Sequence, residues 1–219
     1  MRDRTPTIIA LLFALGWPFL TMLWKRPGSE DIGNMRQDLH VLLMEWAVTL
    51  ALIAVVIFWE RRPLSSVGLV RPAPRDYLAA FTIFVFTMLA TGIVSSAAHL
   101  KPMGPDMLRR IAALPLWLRI ALCVTAGFCE EIAFRAFAIE RLRELSGSLA
   151  LGAIASWLLF GFAHIPRYGL EPRLIIVFVL GGGLTILYTW RRNLLINAAV
   201  HALIDGVSLI LLPYLVVRH

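Results

Sequence analysis

The sequence predicts an all-α protein, a polytopic membrane helix bundle of about seven transmembrane helices. Composition is the first reason. Of 219 residues, 59% are hydrophobic and only 16% charged, and the mean hydropathy is +0.76. Soluble domains average about 45–50% apolar and about 25% charged. The second reason is distribution: the apolar residues gather into seven runs of about 17 residues or more, the length needed to cross a bilayer core. The connections between them are short, none is long enough to separate two domains, and there is no internal repeat of the kind that marks inverted-repeat transporters. One integral membrane domain over residues 1–219 is expected.

The first run, Thr7–Trp24, follows Arg2 and Arg4 and could be read as a signal peptide. It is long for a signal h-region and lacks an Ala-x-Ala site after it, so an uncleaved anchor is expected, kinked at Pro18. The second, Val41–Trp59, stops at Glu60-Arg61-Arg62. Ser65–Asp76 is the most loop-like segment, with Gly68, Pro72 and Pro74 beside Arg71 and Arg75. The third run is Tyr77–His99. The fourth, Trp117–Ala138, opens with an interfacial Trp117 and a snorkelling Arg119. Glu140, Arg141, Arg143 and Glu144 continue it as a solvated extension, ended by a turn at Ser146-Gly147-Ser148. The fifth run is Ser148–Ile165 and the sixth Leu174–Trp190, whose Gly181-Gly182-Gly183 suits close helix packing. After Arg191-Arg192-Asn193 comes the seventh, Leu194–Val217.

The net charge of +7 would raise nucleic acid as a partner in a soluble chain. Here the arginines flank apolar runs, and no basic stretch is interleaved with aromatics. Membrane lipid headgroups are the expected partner, and nucleic acid is not. Leaving aside Arg119 and Arg135 inside the fourth run, the Lys and Arg residues divide ten against nine between the two sides, which sets no orientation. Cys123 and Cys129 fall six apart on one helix, hence on different faces, and read as small buried side chains rather than a disulfide.

Six ionisable side chains lie where lipid should be: Glu130, Glu131, Arg135, His164, His201 and Asp205. One Arg or Asp at a membrane helix centre costs roughly 2.5–3.5 kcal/mol. Such groups persist by pairing, by lining a wet cavity or by doing chemistry. Glu131 and Arg135 are four apart and share a helix face in the favourable order, so a structural ion pair is expected. Glu130 stands about 100° round the helix from Glu131 and cannot share that pair equally, which marks it for function.

Depth brings further groups together. Glu130 lies seventeen residues before Gly147 and His164 seventeen after it, so a helical hairpin places both about 25 Å from the turn. His201 is nine residues beyond Arg192, or about 13 Å into a core about 30 Å thick. Two stripes at four-residue spacing frame this level: Ser156, Phe160 and His164, then Asn197, His201 and Asp205. A carboxylate and an imidazole in a wet pocket can activate water, and a second donor pair can stabilise an oxyanion. Amide hydrolysis within the membrane fits, and so does an ion or proton pathway. Zinc is a possible ligand of Glu130, His164 and His201, but His-Glu-x-x-His is absent, as are a Gly-x-Ser-x-Gly elbow and a phosphate loop. No cofactor is favoured.

The set Glu130-Glu131-x-x-x-Arg135, Phe160-x-x-x-His164 and His201-x-x-x-Asp205 resembles the three motifs of the CAAX prenyl protease type II and bacteriocin-processing family, the CPBP intramembrane proteases. The resemblance covers about 114–212, leaving 1–113 as three N-terminal membrane helices and their loops. It implies an endopeptidase in which Glu130 and His164 activate water, His201 and position 205 serve the oxyanion, and Glu131 and Arg135 accompany them. Some members have been called metalloproteases; a metal-free mechanism is favoured here. An ionised Asp205 only accepts hydrogen bonds, so it either carries a proton or orients His201. The implied substrates are membrane-associated peptides or proteins, prenylated or small bacterial ones, and the expected location is a bacterial cell membrane. A non-proteolytic immunity or scaffold factor of the same family is the alternative.

Overall fold

A computed structural model describes residues 5–20, 33–100, 103 and 105–217. Among these there are eight helices and no strand: α1 Thr5–Leu20, α2 Met35–Trp59, α3 Pro74–Ala97, α4 Pro105–Ala113, α5 Leu116–Ser146, α6 Leu149–Phe162, α7 Leu174–Arg191 and α8 Leu194–Leu215. Every expected run forms a helix where it is described, apart from turns at Ala98–His99 and Ala163–His164 and the cap residue Ser148; the end of the first, from Thr21 to Trp24, lies outside the described residues.

Four helices, α2, α3, α7 and α8, are long and apolar enough to cross a membrane. The bent pair α4–α5, which turns by 102°, makes a fifth span if counted as one. α1 and α6 are apolar but have only 16 and 14 residues. Fourteen residues reach about 21 Å, short of a core about 30 Å thick. The chain is thus a polytopic helical membrane protein in which two of the seven expected helices are shorter than a full span.

The local sequence sets the helix ends. Asn34, Ser148 and Asn193 cap α2, α6 and α8, each side chain accepting an N–H three residues on. Pro74 opens α3, and Asp76 accepts the Ala73 N–H at 2.7 Å. Gly147 closes α5 at φ +74°, a left-handed conformation that favours glycine. α4 was not expected from the sequence. Leu108 and Ile111 are buried while Asp106, Arg109 and Arg110 face out, a three-residue spacing that was the available signal.

Of the expected solvated extension of α5, Arg143 and Glu144 are solvated, with 42% and 43% of their side chains exposed, but Glu140 and Arg141 are part of the interior. Arg141 is fully buried and Glu140 is 4% exposed. Arg141 donates to Glu60 through Nε at 3.0 Å and Nη2 at 2.6 Å, and to Ser66 Oγ at 3.2 Å. Glu60 also accepts from Thr7 Oγ1 at 2.7 Å. Glu140 takes Arg192 Nε at 2.8 Å, Arg62 meets Glu144 at 2.6 Å, and Arg191 meets Asp76 at 2.6 Å. The charges at this end of the bundle pair with one another: ion pairs tie the ends of α2 and α7 to α5 and join α3 to α7, and Thr7 of α1 is held through Glu60. The Ser65–Asp76 loop closes the same end, with Leu194 N–H donating to Gly68 O at 2.8 Å.

The glycine triplet of α7 faces three neighbours in turn. A Cβ on Gly181 would stand 2.7 Å from the Phe160 ring, and one on Gly183 would overlap Thr87 of α3. A Cβ on Gly182 would meet nothing nearer than 3.6 Å, at Trp157. Overpacking a close helix contact costs about 1–3 kcal/mol. Gly183→Val is therefore expected to lower the melting temperature in detergent by several degrees, and Gly182→Ala to leave it unchanged. Equal melting of the two variants would contradict this packing.

Candidate active site

The site is built on the middle of α5, where the hydrogen bonding widens from the i→i+4 pattern to i→i+5 over Ala126–Ile139. This π-wound stretch carries Glu130, Glu131 and Arg135, and from Glu131 to Ile139 every residue is buried. It packs chiefly against α8, at a point where Gly127 lies under the Ala198 carbonyl and Ala202. A regular α-helix was expected here. The sequence carries no signal for π winding, which is settled by packing against neighbouring helices.

Glu131 is the centre of a closed polar group. Its Oε1 accepts from Arg135 Nη1 at 2.9 Å and from His201 Nδ1 at 2.8 Å, and its Oε2 accepts from Asn197 Nδ2. Arg135 passes a second hydrogen to the Gly181 carbonyl at 3.2 Å, and its guanidinium lies 3.8 Å over the Phe160 ring centroid. Glu131 and Arg135 are both fully buried. A carboxylate that accepts can only be met by donors, so His201 carries its hydrogen on Nδ1. Its other nitrogen, Nε2, lies 3.9 Å from Glu130 Oε2 and 3.8 Å from Asp205 Oδ2.

His164 takes a different position from the one expected. α6 ends at Phe162, and His164 sits in the turn that follows, ahead of a single helical turn Ile165–Tyr168. Its Nδ1 lies 2.8 Å from the Phe160 carbonyl oxygen, which only accepts, so Nδ1 carries the hydrogen and Nε2 keeps a lone pair. Phe160 connects the two imidazoles: its ring centroid is 4.7 Å from that of His164 and 6.1 Å from that of His201. Ser156, one turn earlier in the same stripe, donates to the Phe134 carbonyl and locks α6 onto α5.

A cavity of about 520 Å³ reaches this group from the end of the bundle opposite the ion-pair network. Glu130 and Asp205 are on its wall, with Thr125 and Ser208 beside them. Much of the rest comes from outside the three motifs: Asp38, Leu42 and Glu45 of α2, Thr91 and Ser95 of α3, and Met107 of α4. α2 is seated there by Trp46, whose Nε1 donates to Thr125 Oγ1 at 2.9 Å and whose ring stacks on Phe128 at 5.7 Å. The structure therefore places Glu130 and Asp205 on the cavity wall, sets His201 Nε2 within 3.9 Å of both, and links His164 to His201 through Phe160. Sequence reasoning placed Asn197 in the polar stripe of α8 without a role, and missed Glu45 and the Gly181 carbonyl. Glu45 was legible only as one carboxylate in an apolar run; the carbonyl carries no signal.

Among the described residues no group of three or more His, Cys, Asp and Glu side chains could hold a metal ion. Cys123 and Cys129 are buried and free.

Fold and site together define a polytopic membrane protein with a carboxylate–imidazole centre opening on an internal cavity. Residues 111–207 match the family described as type II CAAX prenyl endopeptidase Rce1-like. The three motifs lie inside that stretch, and the match supports membership of the CPBP family, a family of intramembrane proteases. No curated protein and no solved structure is similar to the chain by the corresponding comparisons.

Removing one member of a buried ion pair costs about 3–5 kcal/mol because the other charge is stranded. Arg135→Ala is expected to reduce the yield of monodisperse protein several-fold on size-exclusion chromatography in mild detergent. Wild-type yield would show that Glu131 does not depend on Arg135.

Proposed function

We propose that the protein is an endopeptidase that hydrolyses a peptide bond of a membrane-associated peptide or protein, prenylated or small and bacterial, with water activated by Glu130 and His164. The observation that carries this reading is the convergence on one cavity of Glu130 and Asp205, each within 3.9 Å of His201 Nε2. A cavity of this size takes an extended peptide segment with part of an apolar appendage.

In this mechanism Glu130 draws a proton from the water while the Nε2 lone pair of His164 orients it. The hydroxide oxygen bonds to the carbonyl carbon, and the carbonyl electron pair moves onto oxygen. His201, with a hydrogen on Nε2 held toward Asp205, donates to that oxyanion. As the C–N bond breaks, the proton on Glu130 passes to the leaving amine, which restores the carboxylate. General acid–base help of this kind contributes about 10²–10⁴-fold in rate, and one oxyanion donor about 10²–10³-fold. No step passes through a metal.

Glu130→Gln and His164→Ala are each expected to abolish cleavage without changing expression or elution volume. The assay is mass spectrometry of peptides incubated with the protein in lipid nanodiscs. Candidate substrates come from a pulldown with Glu130→Gln, which should bind peptide and not release it. Wild-type cleavage by either variant would overturn the mechanism.

Asp205→Asn should retain cleavage, because an amide can hold His201 or donate to the oxyanion itself. Loss of cleavage in a folded Asp205→Asn variant would assign Asp205 a role that needs its charge.

A further inference from the structure

Glu131 has the mobility to misplace His201. The last torsion of a Glu side chain is broad and roughly two-fold, so the backbone does not decide which carboxylate oxygen faces which donor. The donors decide it. Arg135 can reach either oxygen from one turn away on the same helix. Asn197 and His201, one turn apart on α8, meet the two oxygens separately: Asn197 Nδ2 takes Oε2, and His201 Nδ1 takes Oε1 at 2.8 Å.

Asn197 is fully buried, and its Oδ1 has no hydrogen-bond partner. The amide is therefore oriented by Glu131 alone; the reversed rotamer would set Oδ1 against Glu131 Oε2, acceptor against acceptor. Without Asn197, Oε2 would be a buried acceptor lacking its donor, worth about 1–3 kcal/mol. The carboxylate would then be driven to turn both oxygens to Arg135, leaving His201 with no fixed acceptor.

We propose that Asn197 is a positioning residue of the reaction: it pins Glu131 so that the carboxylate takes the Nδ1 hydrogen of His201 and directs Nε2 toward Glu130 and Asp205. The inference deepens the peptidase reading and rests on it for its kinetic consequence, though not for its structural one. Isosteric Asn197→Leu removes the donor and keeps the volume; Asn197→Ala is the second variant should the first not fold.

Two readouts test it. Nitrogen NMR of protein labelled with ¹⁵N-histidine in nanodiscs, with the His201 signal assigned from its loss in His201→Gln, reports which ring nitrogen carries hydrogen. In the wild type a single form is expected, with one hydrogen on Nδ1 held by Glu131 and one on Nε2 facing Asp205, and in the Asn197 variants a mixture of forms. In the peptide assay kcat should fall at least tenfold with KM within twofold, the mark of a misplaced group rather than a lost binding contact. A variant with wild-type kcat overturns the proposal, and so does one that loses kcat while His201 keeps that single form. If the wild type cleaves no peptide, the peptidase reading fails by itself; an unchanged NMR spectrum in Asn197→Leu then still overturns the link from Asn197 to His201.

Discussion

The Glu131 carboxylate is the constraint on which the rest of the molecule turns. It sits at the centre of a helix bundle, excluded from water, where a bare charge is not tolerated. Three donors from two helices answer it, and each arrives through a separate feature of the sequence. Arg135 comes from one turn along the same helix, and Asn197 and His201 from successive turns of α8. For these donors to reach, α8 must lie close against α5, which Gly127 allows by leaving room for the Ala198 carbonyl. The Arg135 guanidinium then needs a second acceptor and a surface, supplied by the Gly181 carbonyl and the Phe160 face. Helices α5, α6, α7 and α8 are thus drawn to one point by the needs of a single buried charge.

A second polar layer does comparable work at one end of the bundle. Arg141, Glu140 and the Glu60 carboxylate lie inside the protein, and the exposed Arg192 covers Glu140 from its edge. Their pairs run between residues far apart in the chain and hold the N-terminal helices against the family core. The cavity enters from the other end. One end of the bundle is therefore closed by mutually satisfied charges, while the other stays open to the site.

Hydropathy made the helices legible, because run length and composition are local properties. The motif residues were legible for the same reason: an ionisable group in an apolar run stands out whatever its partner. The pair Glu131–Arg135 could be expected from spacing alone, since both belong to one helix. Partners across helices could not. That Glu131 also holds His201 and Asn197 depends on how α8 docks on α5. The depth argument put His164 level with Glu130 by assuming an unbroken fifth helix, but α6 stops at Phe162 and α5 winds wider than a regular helix, so neither rise per residue holds. Arg141 and Glu140 looked solvated because a charged run beside a turn normally is; their burial follows from Glu60 and Arg192, tens of residues away in sequence.

The cavity wall is assembled from two parts of the chain with different standing. Glu130 and Asp205 come from the stretch that matches the protease family, whereas Leu42, Glu45, Thr91 and Ser95 come from helices that precede it. The two parts answer to different pressures. A change in the matched stretch disturbs the interlocked hydrogen bonds around Glu131; a change at Leu42 or Ser95 on the inner faces of α2 and α3 alters the shape and polarity of the chamber. The fold therefore behaves as a fixed head in an exchangeable sleeve: the chamber can be reshaped from α2 and α3 while the hydrogen-bonded group on α5 and α8 stays as it is.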